Sequence, residues 1–257
     1  MILKNFLWLG MMMLALGAAA TEVRTVLFPQ RQSTLSSRVD GTIEKHDFRE
    51  GEAFRQGDVL VELDDTMIKL RLLRAQSAER EAVAALDYGR KNLAVAQDLK
   101  VKGIQGQQEF DRAQFEVDAA EARLLGARAA LKMSEQELAD SRLTAPFSGR
   151  VVRRMAQEHE FVRAGQQLLQ IIDDSKLLAA LHLDSTMRHQ VKLGEKRRIK
   201  VDETGTVHTG EVVEISGDID SGSRTFEIKI SIDNADGALS AGMSGILLEE
   251  NRGEAAK

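Results

Sequence analysis

The most constraining feature of this sequence is an unbroken seven-residue repeat between positions 110 and 138. Large apolar residues recur at every seventh position: Phe110, Val117, Leu124, Leu131 and Leu138. Small residues stand three positions after the first four of them: Ala113, Ala120, Ala127 and Ser134. This is the a/d pattern of a coiled coil, with large residues facing small ones across the helix–helix seam. The segment therefore predicts a long helix that packs against a helical partner.

The partner helix is predicted immediately upstream. Leucines and small residues there follow two looser registers of the same repeat: Leu72, Leu86 and Leu93, and then Ala75, Ala82, Gly89 and Ala96. No proline occurs between Pro29 and Pro146, so nothing forbids helix in either arm. Gly103 and Gly106 mark a turn between the arms. We expect an antiparallel hairpin over 66–141 that projects roughly 50 Å as a rod.

The first 20 residues have the parts of a secretory signal. Lys4 precedes an apolar run over 6–16, and small residues follow at 18–20. We predict cleavage after Ala20 and export to a bacterial periplasm. The alternative is an uncleaved anchor, for which the apolar run is short. The chain has no cysteine, so it offers neither a disulfide nor a cysteine for a lipid anchor.

The segments on the two sides of the hairpin repeat each other. A shift of 108 positions (149 minus 41) pairs Gly41 with Gly149, Ile43 with Val151, Glu50 with Glu158, Arg55 with Arg163, Gly57 with Gly165, Leu60 with Leu168 and Asp65 with Asp173. One constant shift over the whole segment indicates an internal duplication interrupted by the hairpin. Each half is too small to bury its own apolar face, so we expect the halves to pack as one β-sandwich.

After position 177 the chain alternates apolar and polar residues in short segments separated by glycines. This pattern predicts a small closed β-barrel. The fold class is then mixed α and β, elongated and multi-domain, with an antiparallel coiled-coil hairpin inserted in the sandwich. The predicted order is signal 1–20, a strand joining the barrel 21–37, first sandwich half 38–65, hairpin 66–141, second half 142–176, barrel 177–250 and a polar tail 251–257.

This arrangement resembles the periplasmic adaptor proteins, which are the membrane fusion proteins of HlyD and RND type in tripartite efflux pumps. The segments that carry the resemblance are Gly41-Thr42-Ile43, Phe54–Asp64, Leu143–Val151, Gly210-Glu211-Val212, Ser223–Phe226, Asn234–Leu239 and Ala241-Gly242-Met243. In this family the sandwich is a lipoyl-like domain. A true lipoyl carrier presents a lysine on the turn between the halves. Here that turn is the hairpin, so the resemblance implies no attached cofactor.

The resemblance also implies that the hairpin tip docks onto a TolC-like outer-membrane channel. The tip residues expected to take part are Leu99, Lys102, Gly103, Ile104, Gly106, Glu109 and Asp111. The family's tip offers an arginine, a leucine and a serine, and the corresponding places here hold Val95, Leu99 and Gly106. Leu99 is expected to be the exposed apolar contact, and both glycines are expected to permit the tight reversal. After the barrel, where RND adaptors carry a membrane-proximal domain, we expect none.

No motif in the sequence predicts catalysis or a metal site. The five histidines, at 46, 159, 182, 189 and 208, lack a paired ligand spacing. Ser148 is not in a nucleophile elbow. The net charge of −5 predicts no binding to nucleic acid. The basic run 192–198 is interpreted as a solvated strand edge, with anionic lipid or an acidic protein as the alternative ligand.

The function expected from the resemblance is that of an adaptor without chemistry of its own. It would link an inner-membrane RND-type transporter to the outer-membrane channel. It would do so as a homo-oligomer, a trimer or a six-membered ring, alone or with a second adaptor. The competing hypotheses are a lipoyl-like carrier module of an exported enzyme and a periplasmic scaffold without a transporter.

Overall fold

The computed structural model describes residues 23–104 and 106–248. The predicted signal and the polar tail therefore lie outside the described residues. The chain divides into two compact units, Pro29–Lys176 and the residues on either side of it. Strands β1 (Arg24–Ser36) and β8 (Gln167–Asp184) contribute to both units. Within the described residues, neither long helix is apolar enough over a sufficient length to cross a membrane.

The predicted helical hairpin is present. Helices α1 (Thr66–Val101) and α2 (Gln107–Asp140) have 36 and 34 residues and pack against each other. The buried positions follow the heptad and are Ile68, Leu86, Gly89 and Ala96 of α1 with Val117, Ala120 and Leu124 of α2. The other large seam residues, Phe110, Leu131 and Leu138, are partly exposed. Burial stays confined to one narrow stripe because each helix has a single helical neighbour.

Ion pairs flank this stripe and connect the two helices. The pairs are Arg71–Glu137 at 3.0 Å, Arg90–Glu121 at 2.9 Å and Arg128–Glu79 at 3.3 Å. Their arginine side chains are all more than half exposed, so each pair contributes at most about 1 kcal/mol. The apolar seam therefore supplies most of the stability of the rod, and the ion pairs support its register.

The unit Pro29–Lys176 contains the predicted sandwich. One sheet has the order β5 (Arg142–Thr144), β4 (Val59–Leu63), β2 (Gly41–His46) and β7 (Phe161–Val162). The facing strands are β3 (Ala53–Phe54), β6 (Gly149–Arg154) and the first part of β8. The core is built from residues of both halves at equivalent positions: Ile43 and Val151, Phe54 and Val162, Leu60 and Leu168, Val61 and Leu169, Leu63 and Ile171. The duplication inferred from the sequence is thus seen in the structure, because equivalent residues of the two halves are buried in one core.

The two halves also exchange equivalent hydrogen bonds. The backbone N–H of Gly51 donates to the carbonyl of Val151 at 2.7 Å, and in the other half His159 N–H donates to Ile43 at 2.8 Å. Gly51 and His159 are 108 positions apart, and both have positive φ, 82° and 67°. Each half therefore satisfies backbone groups of the other, and neither is complete alone.

At one equivalent pair the two halves carry different side chains, His46 and Arg154. His46 Nε2 lies 3.0 Å from the Ala156 carbonyl, and Arg154 donates a guanidinium N–H to Phe48 at 2.7 Å. Since a carbonyl can only accept, Nε2 carries the proton. Nδ1 of His46 is buried without a hydrogen-bond partner among the described residues. Burial, and then the positive charge of Arg154, lowers the pKa of His46.

The other unit is a closed barrel. Its remaining strands are β9 (Lys196–Val201), β10 (Val207–Ile215), β11 (Thr225–Asp233) and β12 (Ser244–Leu248). The order is β1-β12-β9-β10-β11-β8, and β1 also pairs with β8. The prediction that the basic run belongs to a strand edge is wrong, because β9 forms ladders with β12 on one side and with β10 on the other. Periodicity alone could not reveal this, since it does not encode the order of strands in a sheet.

Leu124→Ala is expected to destabilise the hairpin seam. Leu124 is 7% exposed, so truncation removes a buried side chain and leaves a void, at a cost of about 2 kcal/mol in unfolding free energy. Leu125 is the adjacent control, because it is 73% exposed and Leu125→Ala should change stability by less than about 0.5 kcal/mol. Helical circular dichroism during thermal unfolding measures both. Equal shifts for the two variants would contradict the seam.

His46→Gln is expected to flatten the pH dependence of stability. The lowered pKa of the folded state means that the unfolded chain binds a proton more readily. Stability is therefore complete above the unfolded histidine value of about 6.5 and falls as the pH drops below it. Glutamine keeps an N–H donor for Ala156 but cannot titrate. Urea unfolding of both chains between about pH 5 and about pH 7.5 measures the difference, and parallel profiles would exclude His46 as the cause.

Candidate docking site at the hairpin tip

The tip is shaped by the way in which α1 ends. The N–H of Gly103 donates to the carbonyl of Lys100 at 3.0 Å, and the N–H of Ile104 donates to that of Leu99 at 2.9 Å. Together with a φ of 70° at Gly103, these two bonds define a Schellman motif. A left-handed residue is required at this position, and glycine adopts that conformation without strain. The sequence prediction that Gly103 permits the reversal is therefore supported by its geometry.

Gly106 has a different role. It is the N-cap residue of α2, with φ −83° and ψ 176°, an extended conformation open to any residue. A Cβ built at this position would meet only the flexible end of the Glu109 side chain, at 3.3 Å. The expectation that Gly106 is needed for the reversal is wrong, because its backbone is extended, whereas Gly103 provides a left-handed step.

Side-chain contacts hold both ends of the turn. Lys102 pairs with Asp98 at 2.5 Å, and Gln107 donates to Asp111 at 2.7 Å. The ammonium group of Lys100 lies 4.3 Å from the centroid of the Phe110 ring, a cation–π contact that joins the end of α1 to the start of α2. The first residue of the heptad is therefore held at the tip by a cation as well as by packing.

The apolar surface at the tip differs from the one predicted. Leu99 is partly buried, whereas Val101 and Ile104 are 78% and 68% exposed. The other predicted tip residues, Lys102, Gly103, Gly106, Glu109 and Asp111, are all exposed. Sequence reasoning placed Val101 at the start of the tip but did not identify it as an exposed apolar contact. Its place one position after Lys100, which occupies a seam register, could have indicated that it points away from the seam. The tip thus presents two exposed aliphatic side chains among charged groups.

The remaining candidate positions do not assemble into a site. Among the described residues no group of three or more His, Cys, Asp or Glu side chains is placed to hold a metal ion. His182 lies 3.7 Å from Glu227, and His208 contacts Thr206 at 2.7 Å. The turn between β4 and β5, where a lipoyl carrier would present its lysine, is occupied by α1 and α2.

A helical hairpin inserted between the two halves of a lipoyl-like sandwich, followed by a barrel, is the architecture of membrane fusion proteins. The family model for the barrel-sandwich hybrid domain of RND membrane fusion proteins matches residues 31–174. A second model, the CusB-like β-barrel domain, matches residues 182–248. The chain belongs to the RND membrane fusion protein family.

Individual proteins resemble this chain in sequence or in fold. The multidrug resistance protein MdtA of Cronobacter turicensis is 31% identical over 216 residues, which cover 80% of this chain and 52% of the relative. The chain thus spans about half the length of that relative. Among solved structures, the membrane fusion protein Spr0693 of Streptococcus pneumoniae R6 has a TM-score of 0.70 at 14% identity, covering 90% of this chain and 99% of that one. MacA of Actinobacillus actinomycetemcomitans has a TM-score of 0.63 at 18% identity, with coverages of 89% and 78%.

Gly103→Ala is expected to destabilise the tip, and Gly106→Ser is the matched control. Alanine at a φ of 70° costs about 1 kcal/mol. Serine at the N-cap can accept from the first turn of α2 and, with Glu109, completes a capping box that adds a few tenths of a kcal/mol. Amide hydrogen exchange at the ends of α1 and α2 measures both effects. Faster exchange in Gly106→Ser than in Gly103→Ala would refute the assignment of the turn.

Proposed function

We propose that this protein is the periplasmic adaptor subunit of an RND-type tripartite efflux system, bridging an inner-membrane transporter and a TolC-like outer-membrane channel. The observation that carries the proposal is the helical hairpin inserted in the sandwich, in a segment that matches the RND membrane fusion protein model. Its helices are far longer than the sandwich needs, and its tip displays Val101 and Ile104. The proposed location is the periplasm, at the inner membrane through the transporter.

The tip is proposed to be the channel-docking site. Val101 and Ile104 would supply the apolar contact, and Lys102, Glu109 and Asp111 would surround it with charge. Such a contact is small for each subunit, so repetition around a ring supplies the affinity that a single tip lacks. Leu99 supports the turn through its carbonyl and is only partly exposed, which makes it a weaker contact than Ile104.

Homo-oligomerisation, as a trimer or a six-membered ring, alone or with a second adaptor, is supported by a second apolar stripe on α2. It follows the heptad spacing on the side of the helix away from the seam and comprises Phe115, Ala119, Ala122, Gly126, Ala129 and Met133. Phe115 and Met133, at its two ends, are 71% and 73% exposed. A Cβ at Gly126 would meet nothing within 4 Å. Large residues at the ends with small ones between them suit close packing against another helix.

Ile104→Asp is expected to abolish efflux while leaving the fold intact. The substitution puts a charge into an apolar contact, where its desolvation is not compensated. Met67→Asp is the matched control, because Met67 is similarly exposed at 65% but lies at the opposite end of α1. Export of a toxic substrate by cells that depend on each variant measures function, and thermal unfolding checks folding.

Photo-crosslinking gives a second, direct measurement. A crosslinking amino acid at position 104 should capture an outer-membrane channel from intact cells, identified by mass spectrometry, and the same amino acid at position 67 should not. Normal export by Ile104→Asp cells, with no channel captured at position 104, would exclude the tip as the docking site.

A further inference from the structure

Strand β9 carries an unusual row of positive charge. Lys196, Arg198 and Lys200 all point outward and are exposed, while Ile199 and Val201 between and beyond them are buried in the barrel core. None of the three cations forms an ion pair or a side-chain hydrogen bond with a described residue. Charged residues often protect the edge of a sheet, but β9 is paired on both sides. Edge protection therefore does not account for them.

The strand register places aliphatic side chains beside these cations. Leu248 lies opposite Arg198, and Ile246 lies opposite Lys200 on the same strand, β12. Arg24 of β1 is in turn opposite Ile246. We call Arg24, Lys196, Arg198, Lys200, Ile246 and Leu248 the β9 face. Neighbouring strands are about 4.8 Å apart and successive outward residues about 7 Å apart, so these six residues form one contiguous surface.

The charge of the β9 face is opposite to that of the chain as a whole. The protein has a net charge of −5, yet four of the six residues on this face are cations. Among the described residues two carboxylates border it: Glu211, opposite Lys196, and Asp202, two positions beyond Lys200. Like charges along one strand repel each other, and an external anionic surface would relieve that repulsion.

We propose that the β9 face binds the surface of a bilayer containing anionic phospholipids. The face is the outer side of a strand ladder and not a cleft, so it suits an extended surface better than a small anion. Cations interleaved with aliphatic side chains match the interface, where lysine and arginine meet phosphates and aliphatic groups enter the headgroup region.

Vesicle co-sedimentation of the mature chain, which is predicted to begin at Thr21, tests the proposal. The test variant is Lys196→Gln with Arg198→Gln and Lys200→Gln. The control is Arg74→Gln with Arg80→Gln and Lys91→Gln, three exposed cations of α1 that also lack an ion pair with a described residue. Both variants change the net charge equally. Both variants keep Glu249 and Glu250, which follow Leu248, so these two carboxylates contribute equally to every measurement. Thermal unfolding confirms that each variant is folded.

The wild type should bind phosphatidylcholine vesicles that contain phosphatidylglycerol, and added salt should weaken that binding. Each cation removed from the face should lower the affinity about fivefold, so that the test variant loses roughly 100-fold. The control variant should bind like the wild type. Equal binding by the test variant and the wild type would overturn the proposal, as would equal binding of the wild type to vesicles without phosphatidylglycerol. Retention on immobilised poly-glutamate without binding to vesicles would overturn it in favour of an acidic protein partner.

Discussion

The exchange of hydrogen bonds between the two sandwich halves is the constraint on which the rest of the Pro29–Lys176 unit depends. Each half supplies part of a core that neither can close alone, and each satisfies backbone groups of the other. The halves are separated in sequence by the whole hairpin, so bringing them together costs loop-closure entropy. The α1–α2 seam offsets this cost, because a folded hairpin returns the chain to its starting point. The bond from Leu63 N–H to the Ser141 carbonyl, at 2.9 Å, closes the base of the hairpin.

The duplication is also informative where it is imperfect. Gly51 and His159 occupy equivalent turns with positive φ, but only glycine adopts that conformation without steric cost. Arg154 and His46 occupy equivalent places against the carbonyls of the opposite half, but only the histidine can lose its charge near neutral pH. A histidine there can bind the carbonyl through Nε2 without placing a second cation beside the guanidinium. The geometry is therefore symmetrical while the electrostatics are not.

Sequence patterns predicted those parts of the fold that are periodic or repeated. The heptad from Phe110 to Leu138 indicated α2 because the helical period can be seen within one segment of sequence. The shift of 108 indicated the sandwich because its two halves can be aligned with each other. The errors concern features that depend on neighbours distant in sequence or on one backbone angle. The exposure of Ile104 and the partial burial of Leu99 follow from the Schellman turn at Gly103. Strand β9 lies inside the sheet because it pairs with β12. The order of strands in a sheet cannot be read from the sequence pattern of a single strand.

Because a coiled-coil helix turns successive residues to different sides, positions that stabilise this protein lie next to positions free to contact partners. Leu124 is buried in the seam, while Leu125 beside it is exposed. The barrel follows the same logic with a period of two, as Ile199 fills the core between exposed Arg198 and Lys200. The contact function proposed for this protein needs such surfaces, and their chemistry can change without loss of the core. The exposed tip, the second stripe of α2 and the β9 face are built on this separation, so substitutions one residue apart can distinguish folding from binding at each of them.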